Sequence, residues 1–230
     1  MISLLARLID VLAPRECAVC GRRLAVTEET VCGDCNFHLP RTNFSVTPYD
    51  NEMARLFWKL IPIERASALF FYEAHSLSSN IIYKLKYGDR PDIGEAMGRM
   101  AAAEWARDGF FDGIGAIIPV PLAKNRQRER GYNQSFCIAK GISSVGGMPV
   151  LTKAVSRDTF VKSQTTMNRW QRQDNVANVF HLRDGSSVAG KHVLIVDDIV
   201  TSGATIVSLA AELMRAGNVK FSVASLGFAH

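Results

Sequence analysis

Residues 193–205, Val-Leu-Ile-Val-Asp-Asp-Ile-Val-Thr-Ser-Gly-Ala-Thr, constrain this chain more than any other stretch. Val193 to Val196 form a continuous apolar run of β-favouring residues, the pattern of a strand buried on both faces. The run stops on two carboxylates, Asp197 and Asp198, and a small hydroxyl-rich segment follows at Thr201 to Thr205. Ile206, Leu209, Ala210 and Leu213 then recur at helical spacing, with Gly217 placed as a C-cap.

Each piece has a chemical use. The loop offers backbone N–H groups and hydroxyls at a helix N-terminus, which together make an anion site. Gly203 lets the backbone approach the anion closely. Carboxylates repel phosphate, so Asp197 and Asp198 must serve another part of the same ligand. They accept hydrogen bonds from vicinal ribose hydroxyls and ligate Mg²⁺. A ligand with a 5-phosphate beside a free cis-diol satisfies both halves. The plain alternative is an ordinary parallel strand that ends in acids before a helix.

Near the N-terminus, Cys17 and Cys20 form one Cys-x-x-Cys knuckle, and Cys32 and Cys35 form a second after eleven intervening residues. Paired knuckles at this distance supply four thiolates to one tetrahedral ion, normally Zn²⁺. Redox chemistry is the competing use. His38 could replace one thiolate but is not needed, and Cys137 sits in an apolar helical context that reads as core. Residues 2–12 read as a short amphipathic helix ended by Pro14. Arg7 and Asp10 interrupt its apolar stretch, which argues against a secretion signal.

Residues 40–65 carry few signals beyond Pro40, Pro48 and Pro62, and read as a junction. Beyond them strands and helices alternate. Strands are expected at 68–72, 114–120, 193–197 and 221–228, and helices from Leu77 to an end at Gly88, at 93–107 and at 132–142, a parallel α/β sheet. Ligands on such parallel sheets bind at the carboxyl ends of the strands, where the acid pair lies. The expected division is therefore residues 1–40 as helix and zinc module, 41–65 as junction, and 66–230 as the α/β domain.

Lys124, Arg126, Arg128 and Arg130 crowd one short segment after the Pro119-Val120-Pro121 strand end. Such crowding is unfavourable unless solvent or an anion relieves it. A mobile loop closing on a diphosphate, a solvated basic loop and a nucleic-acid patch with Tyr132 and Trp170 as stacking partners all fit. Lys84, Lys86, Tyr87 and Arg90 form a smaller basic group at a helix end, where complementing the helix dipole competes with phosphate binding. Residues 162–180 are dense in polar side chains, as a lid or a partner surface would be.

The 193–205 stretch resembles the phosphoribosyl diphosphate (PRPP) signature of type I phosphoribosyltransferases. In combination with the four cysteines, Leu85-Lys86-Tyr87, the Pro119-Val120-Pro121 segment with Arg130-Gly131-Tyr132-Asn133-Gln134, and Gln164 to Asn175, it resembles the competence-protein-F (ComF-like) family. The resemblance spans about residues 14–228. It implies a type I phosphoribosyltransferase-like parallel sheet flanked by helices, with a small four-cysteine module. It also implies a cytoplasmic protein of the DNA-uptake system that binds PRPP with Mg²⁺ and structural Zn²⁺. On that basis Asp197 and Asp198 would hold the ribose, and Thr201, Ser202, Gly203, Ala204 and Thr205 the 5-phosphate. Lys86, Arg126, Arg128 and Arg130 would meet the diphosphate. Transfer of the phosphoribosyl (pentosyl) group to an acceptor is one implied function. A non-catalytic sensor of PRPP or nucleotide that binds single-stranded DNA beside the competence machinery is the other.

The remaining numbers bound these readings. With 230 residues, 47% hydrophobic and 21% charged, the chain can build a sizeable core. Its net charge of +5 suits anionic ligands without selecting among them. No apolar run approaches the roughly 18–20 residues of a membrane span.

Overall fold

The computed structural model describes residues 14–157 and 179–229. In chain order these hold α1 (Gly33–Phe37), α2 (Glu52–Arg55), β1 (Ile63–Phe71), α3 (Ser79–Tyr87), α4 (Pro91–Trp105), β2 (Ala116–Pro119), α5 (Lys124–Arg130), α6 (Gln134–Gly146), β3 (Val155–Arg157), β4 (Phe180–Leu182), β5 (His192–Val200), α7 (Ala204–Leu213) and β6 (Lys220–Phe228). The expected N-terminal helix at 2–12, Trp170 and all but the end of the polar tract at 162–180 lie outside the described residues.

The apolar strands assemble as one parallel sheet in the order β1-β6-β5-β2. Val193 of β5 is level with Ala116 on one side and Phe221 on the other. Alternation along each strand divides the core in two. Leu194, Val196, Ile117, Ala224 and Leu226 face a cluster with α3, α4, α6 and the cysteine segment. Val193, Ile195, Ala116, Ile118, Phe221 and Val223 face a second cluster with α2, α7 and the 44–61 segment. β5 is thus covered on both sides, as its unbroken apolar run requires.

Several boundaries differ from the sequence expectation. β5 runs on through Asp197 and Asp198 to Val200, because β6 keeps pairing with it: Asp197 is level with Ser225 and Val200 with Phe228. α7 stops at Leu213, and Gly217 closes a short 3-10 turn, Met214–Ala216, instead of the α-helix itself. The 124–130 segment, expected as a loop, is helical and buries none of its residues. Ala123 and Gly131 bracket it, with the Gln127 N–H on the Ala123 carbonyl at 2.9 Å and the Gly131 N–H on the Gln127 carbonyl at 2.9 Å. β3 and β4 form an antiparallel pair with no distinct signature in the sequence.

Residues 40–61 cover the free edge of β1, which would otherwise offer unpaired backbone groups. The Phe71 N–H reaches the Pro40 carbonyl at 2.8 Å, and the Asn51 amide reaches the Ala66 carbonyl at 2.9 Å. Phe44, Met53, Ala54, Phe57 and Ile61 of this stretch are buried in the second cluster.

α4 and α6 approach closely because glycines face the contact. A Cβ on Gly94 would lie 2.7 Å from the Cys137 Cβ, and one on Gly141 would lie 2.9 Å from the Arg99 N and closer still to the Glu95 carbonyl oxygen. Glycine to alanine inside a helix ordinarily favours the fold by up to about 1 kcal/mol. Here the obstacle is backbone, which cannot swing aside. Gly141→Ala is therefore expected to destabilise the protein by about 1–3 kcal/mol, read as a lower urea midpoint.

Candidate functional site

The carboxyl ends of β2 and β5 carry the site. The Asp197 Oδ1 accepts from the Ser135 hydroxyl at 3.0 Å and from the Asp198 N–H at 2.9 Å. The Asp198 Oδ1 lies 3.0 Å from the Lys86 Nζ, and both side chains are mostly buried. Burial, and then the charge of Asp198, push the Asp197 carboxyl up to about 7. Ser135 and Lys86 pull the other way but do not cancel the desolvation. Two adjacent, mostly buried acids near the carboxyl end of β5 thus stand with Asp197 raised to about 7.

Directly beyond, the chain turns at Gly203, whose φ of +72° serves as the N-cap of α7. A Cβ there would meet the Phe57 ring at 2.7 Å, so both conformation and packing call for glycine. Residues 201–205 curve round a hollow of about 40 Å³ that Asp197 also lines. The first N–H groups of α7 have no intrahelical acceptor, so the hollow offers donors to an anion.

The basic residues separate into groups that the sequence does not distinguish. Lys84 and Lys86 lie two positions apart on α3 and point to different partners: Lys86 to Asp198, Lys84 to the Cys17 carbonyl at 3.2 Å. Arg90 pairs with Asp92 at 2.6 Å. Arg128 and Arg130 line a cleft of about 480 Å³ with Lys86 and Tyr87, and the Arg130 guanidinium stands 5.3 Å over the Tyr87 ring. Arg126 does not line that cleft, and its charge acts on Arg157.

Arg157, at the end of β3, is the cation that sequence reasoning missed. It lines a cleft of about 540 Å³ with Pro121, Tyr132, Asn133 and Phe136, and its guanidinium lies 5.2 Å from the Phe180 ring centre. Burial and the charge of Arg126 lower its pKa, while Asp197 acts in the opposite sense. Ser135 was missed as well. A lone arginine next to a polar tract and a serine after an Asn-Gln pair carry no sequence signal; only folding puts the Ser135 hydroxyl 3.0 Å from Asp197.

The four cysteine sulfurs all lie within 4.8 Å of one another. Cys20 and Cys32 sulfurs are 3.9 Å apart. A tetrahedral ion with metal–sulfur bonds of about 2.3 Å needs sulfur–sulfur edges of roughly 3.8 Å, so the cluster fits. Burial resists ionisation of Cys32, but the Cys35 N–H and the neighbouring thiols outweigh it and bring the group to about 7. His38 turns away, its Nδ1 on the Asp34 carbonyl at 2.9 Å. Cys137 is buried, and burial pushes its thiol up to about 11, in keeping with a core residue. Among the described residues no helix is long and apolar enough to cross a membrane.

Residues 146–230 match the phosphoribosyl transferase domain family, a span that includes the β3–β4 pair, both acids, the turn at Gly203 and the last strand. The class of the domain is thereby defined. The DNA utilization protein YhgH of Escherichia coli O6:H1 is 32% identical over 204 residues, covering 87% of this chain and 85% of that protein. Competence protein F of Haemophilus influenzae is 33% identical over 103 residues, covering 44% of this chain and 45% of that protein. The glutamine PRPP amidotransferase of B. subtilis aligns with 61% of this chain and 30% of its own at a TM-score of 0.40 and 19% identity. This chain belongs to the ComF-like family of type I phosphoribosyltransferases.

The raised pKa of Asp197 has a thermodynamic consequence. Between the usual carboxylate value near 4 and about 7, the native state holds a proton that the unfolded chain has released. Its contribution to stability therefore falls as pH rises across that window and is level above it. Asp197→Asn keeps a carbonyl acceptor for Ser135 but cannot titrate. Its stability relative to the native chain is expected to rise from pH 5 to pH 8 in urea unfolding; a difference that does not change with pH contradicts the assignment.

Proposed function

We propose that the chain binds PRPP with Mg²⁺ and transfers its phosphoribosyl group to an acceptor, releasing diphosphate. The observation that carries this reading is the acid pair, braced by Ser135 and Lys86, next to the N–H-lined hollow at 201–205. Asp197 and Asp198 would accept from the ribose hydroxyls, and Thr201, Ser202, Gly203, Ala204 and Thr205 would enclose the 5-phosphate. The oxygen donors of the acid pair suit Mg²⁺, which neutralises diphosphate charge when bound. Lys86, released from Asp198 as that acid engages the ribose, would turn to the diphosphate. Arg157 would approach it from the end of β3, and Arg126, Arg128 and Arg130 from α5.

In the transfer step the C1–oxygen bond to diphosphate breaks and its electron pair leaves with the diphosphate. A lone pair on the acceptor forms the new C1 bond, and the acceptor's proton passes to solvent. Positioning and leaving-group neutralisation are the protein's contribution. The four thiolates fit Zn²⁺ as a structural ion that braces a segment with little core of its own.

A second reading, a non-catalytic PRPP or nucleotide sensor that binds single-stranded DNA, draws support from another surface. Tyr83 and Tyr87 are exposed, with ring centres 5.3 Å apart, and Arg130 covers Tyr87 beside Lys86 and Arg128. Exposed aromatics between cations are the elements of a base-stacking track. The name of the Escherichia coli relative, a DNA utilization protein, accords with that use.

PRPP with Mg²⁺ at about a hundredfold over Kd is expected to add roughly 2.7 kcal/mol, a shift of about 5–10 °C in Tm. The Asp197→Asn/Asp198→Asn double variant should lose the shift. No shift in the native chain rejects PRPP binding; a shift without diphosphate release on any acceptor favours the sensor. For the second reading, Tyr87→Ala should weaken binding of an oligothymidylate by about 1–3 kcal/mol, and the native affinity should fall steeply with salt.

A further inference from the structure

α3 stands between the cysteine knuckles and the acid pair, and it touches both. On one side the Asn80 amide donates to the Val19 carbonyl at 2.9 Å, and the Lys84 ammonium donates to the Cys17 carbonyl at 3.2 Å. Both carbonyls belong to the first knuckle, Cys17 to Cys20. Residues four apart share a helix face, which is why one surface of α3 can grip the whole knuckle. Lys86 is two positions beyond Lys84, on the far side of the helix, and there it meets Asp198 at 3.0 Å. Ile81, Ile82 and Leu85 bury the remaining face, and the Tyr132 hydroxyl donates to the Leu85 carbonyl at 2.7 Å.

The knuckle keeps its shape through its sulfurs. The Cys32 N–H points at the Cys17 sulfur at 3.3 Å, and the four sulfurs converge on one point. A metal ion held by the four sulfurs would restrain the carbonyls of Cys17 and Val19, and its removal would release that restraint. Ser78, which precedes α3, makes no side-chain cap, and the first turn is held from outside by the Ser76 hydroxyl, which accepts from the Ser79 N–H at 3.3 Å. A helix of nine residues is marginal by itself. Its placement therefore depends on what grips it.

We propose that Asn80 and Lys84 are positioning residues that make the metal knuckle set the place of Lys86 against Asp198, so that metal loading tunes the affinity of the acid-pair site for its phosphoribosyl ligand. The ligand part rests on the PRPP reading above; the mechanical part does not. The cysteine module is then a brace for the ligand site as well as for itself.

The test uses the full metal-loaded chain, its chelated form, and Asn80→Ala/Lys84→Met, which retains most of the Lys84 alkyl stem. Hydrogen exchange and metal content are measured on each, with PRPP·Mg²⁺ affinity by calorimetry. The double variant is expected to keep its metal and its protection in β5 and β6, to lose protection in 79–87, and to bind PRPP·Mg²⁺ roughly tenfold more weakly. Chelation of the native chain should raise exchange in 79–87 likewise. In a Lys86→Met background the Asn80/Lys84 changes should no longer weaken binding, a non-additivity that a purely structural role would not produce. Unchanged protection of 79–87 in both chelated chain and variant overturns the proposal, as does full additivity with Lys86→Met. If the double variant does not fold, Lys84→Met alone is read by the same criteria. If the native chain binds no PRPP, the reading of the ligand fails, and the exchange of 79–87 alone decides the mechanical coupling.

Discussion

Two adjacent carboxylates in the last third of a strand covered on both faces are expensive to desolvate, and several elements of the molecule offset that cost. Ser135 at the start of α6 donates to one of them, and Lys86 at the end of α3 neutralises the other. Even so, Asp197 stays proton-hungry, with its pKa pushed up to about 7. A site that is short of compensation when empty is a site that gains most from a ligand carrying hydroxyl donors and a cation.

The same economy runs through the surrounding elements. α3 and α6 lie on one face of the sheet and each sends one side chain to the acids; α7 lies on the other and begins at the turn beside them. Glycines keep these parts close: Gly98 and Gly141 let α4 approach α6, and Gly203 leaves room for Phe57 under the turn. The cysteine segment joins through both knuckles. Asn80 and Lys84 grip the first, while Arg41 binds Asn36 of α1 at 2.7 Å and Glu104 of α4 at 2.7 Å beside the second.

Local chemistry explains what was legible in advance. The apolar run at 193–196, the helical spacing after Thr205 and the two Cys-x-x-Cys pairs each depend on neighbours in the chain, and each took the expected form. The less legible features depend on distant partners. β5 continues past its acids because β6 and not the local sequence supplies hydrogen bonds there. The arginine-rich segment is a helix because residues of good helix propensity lie between Ala123 and a left-handed Gly131, a tendency that charge crowding conceals. The β3–β4 pair joins segments separated in the chain by more than twenty residues, beyond the reach of any local pattern.

By itself the sequence determined that strands and helices alternate, that one strand is buried on both faces and carries two acids ahead of a glycine turn, and that four thiols lie close enough to hold one ion. These follow from side-chain periodicity and from spacings too short for the chain to rearrange. Tertiary structure alone decided which cations belong to the acids. Lys84 and Lys86 are near neighbours in sequence, but helix geometry turns them to opposite sides; Ser135 is remote from Asp197 in sequence, and the packing of α6 against the sheet brings it within hydrogen-bond reach. Charge pairing is a property of distance in space, which composition and spacing along the chain do not encode.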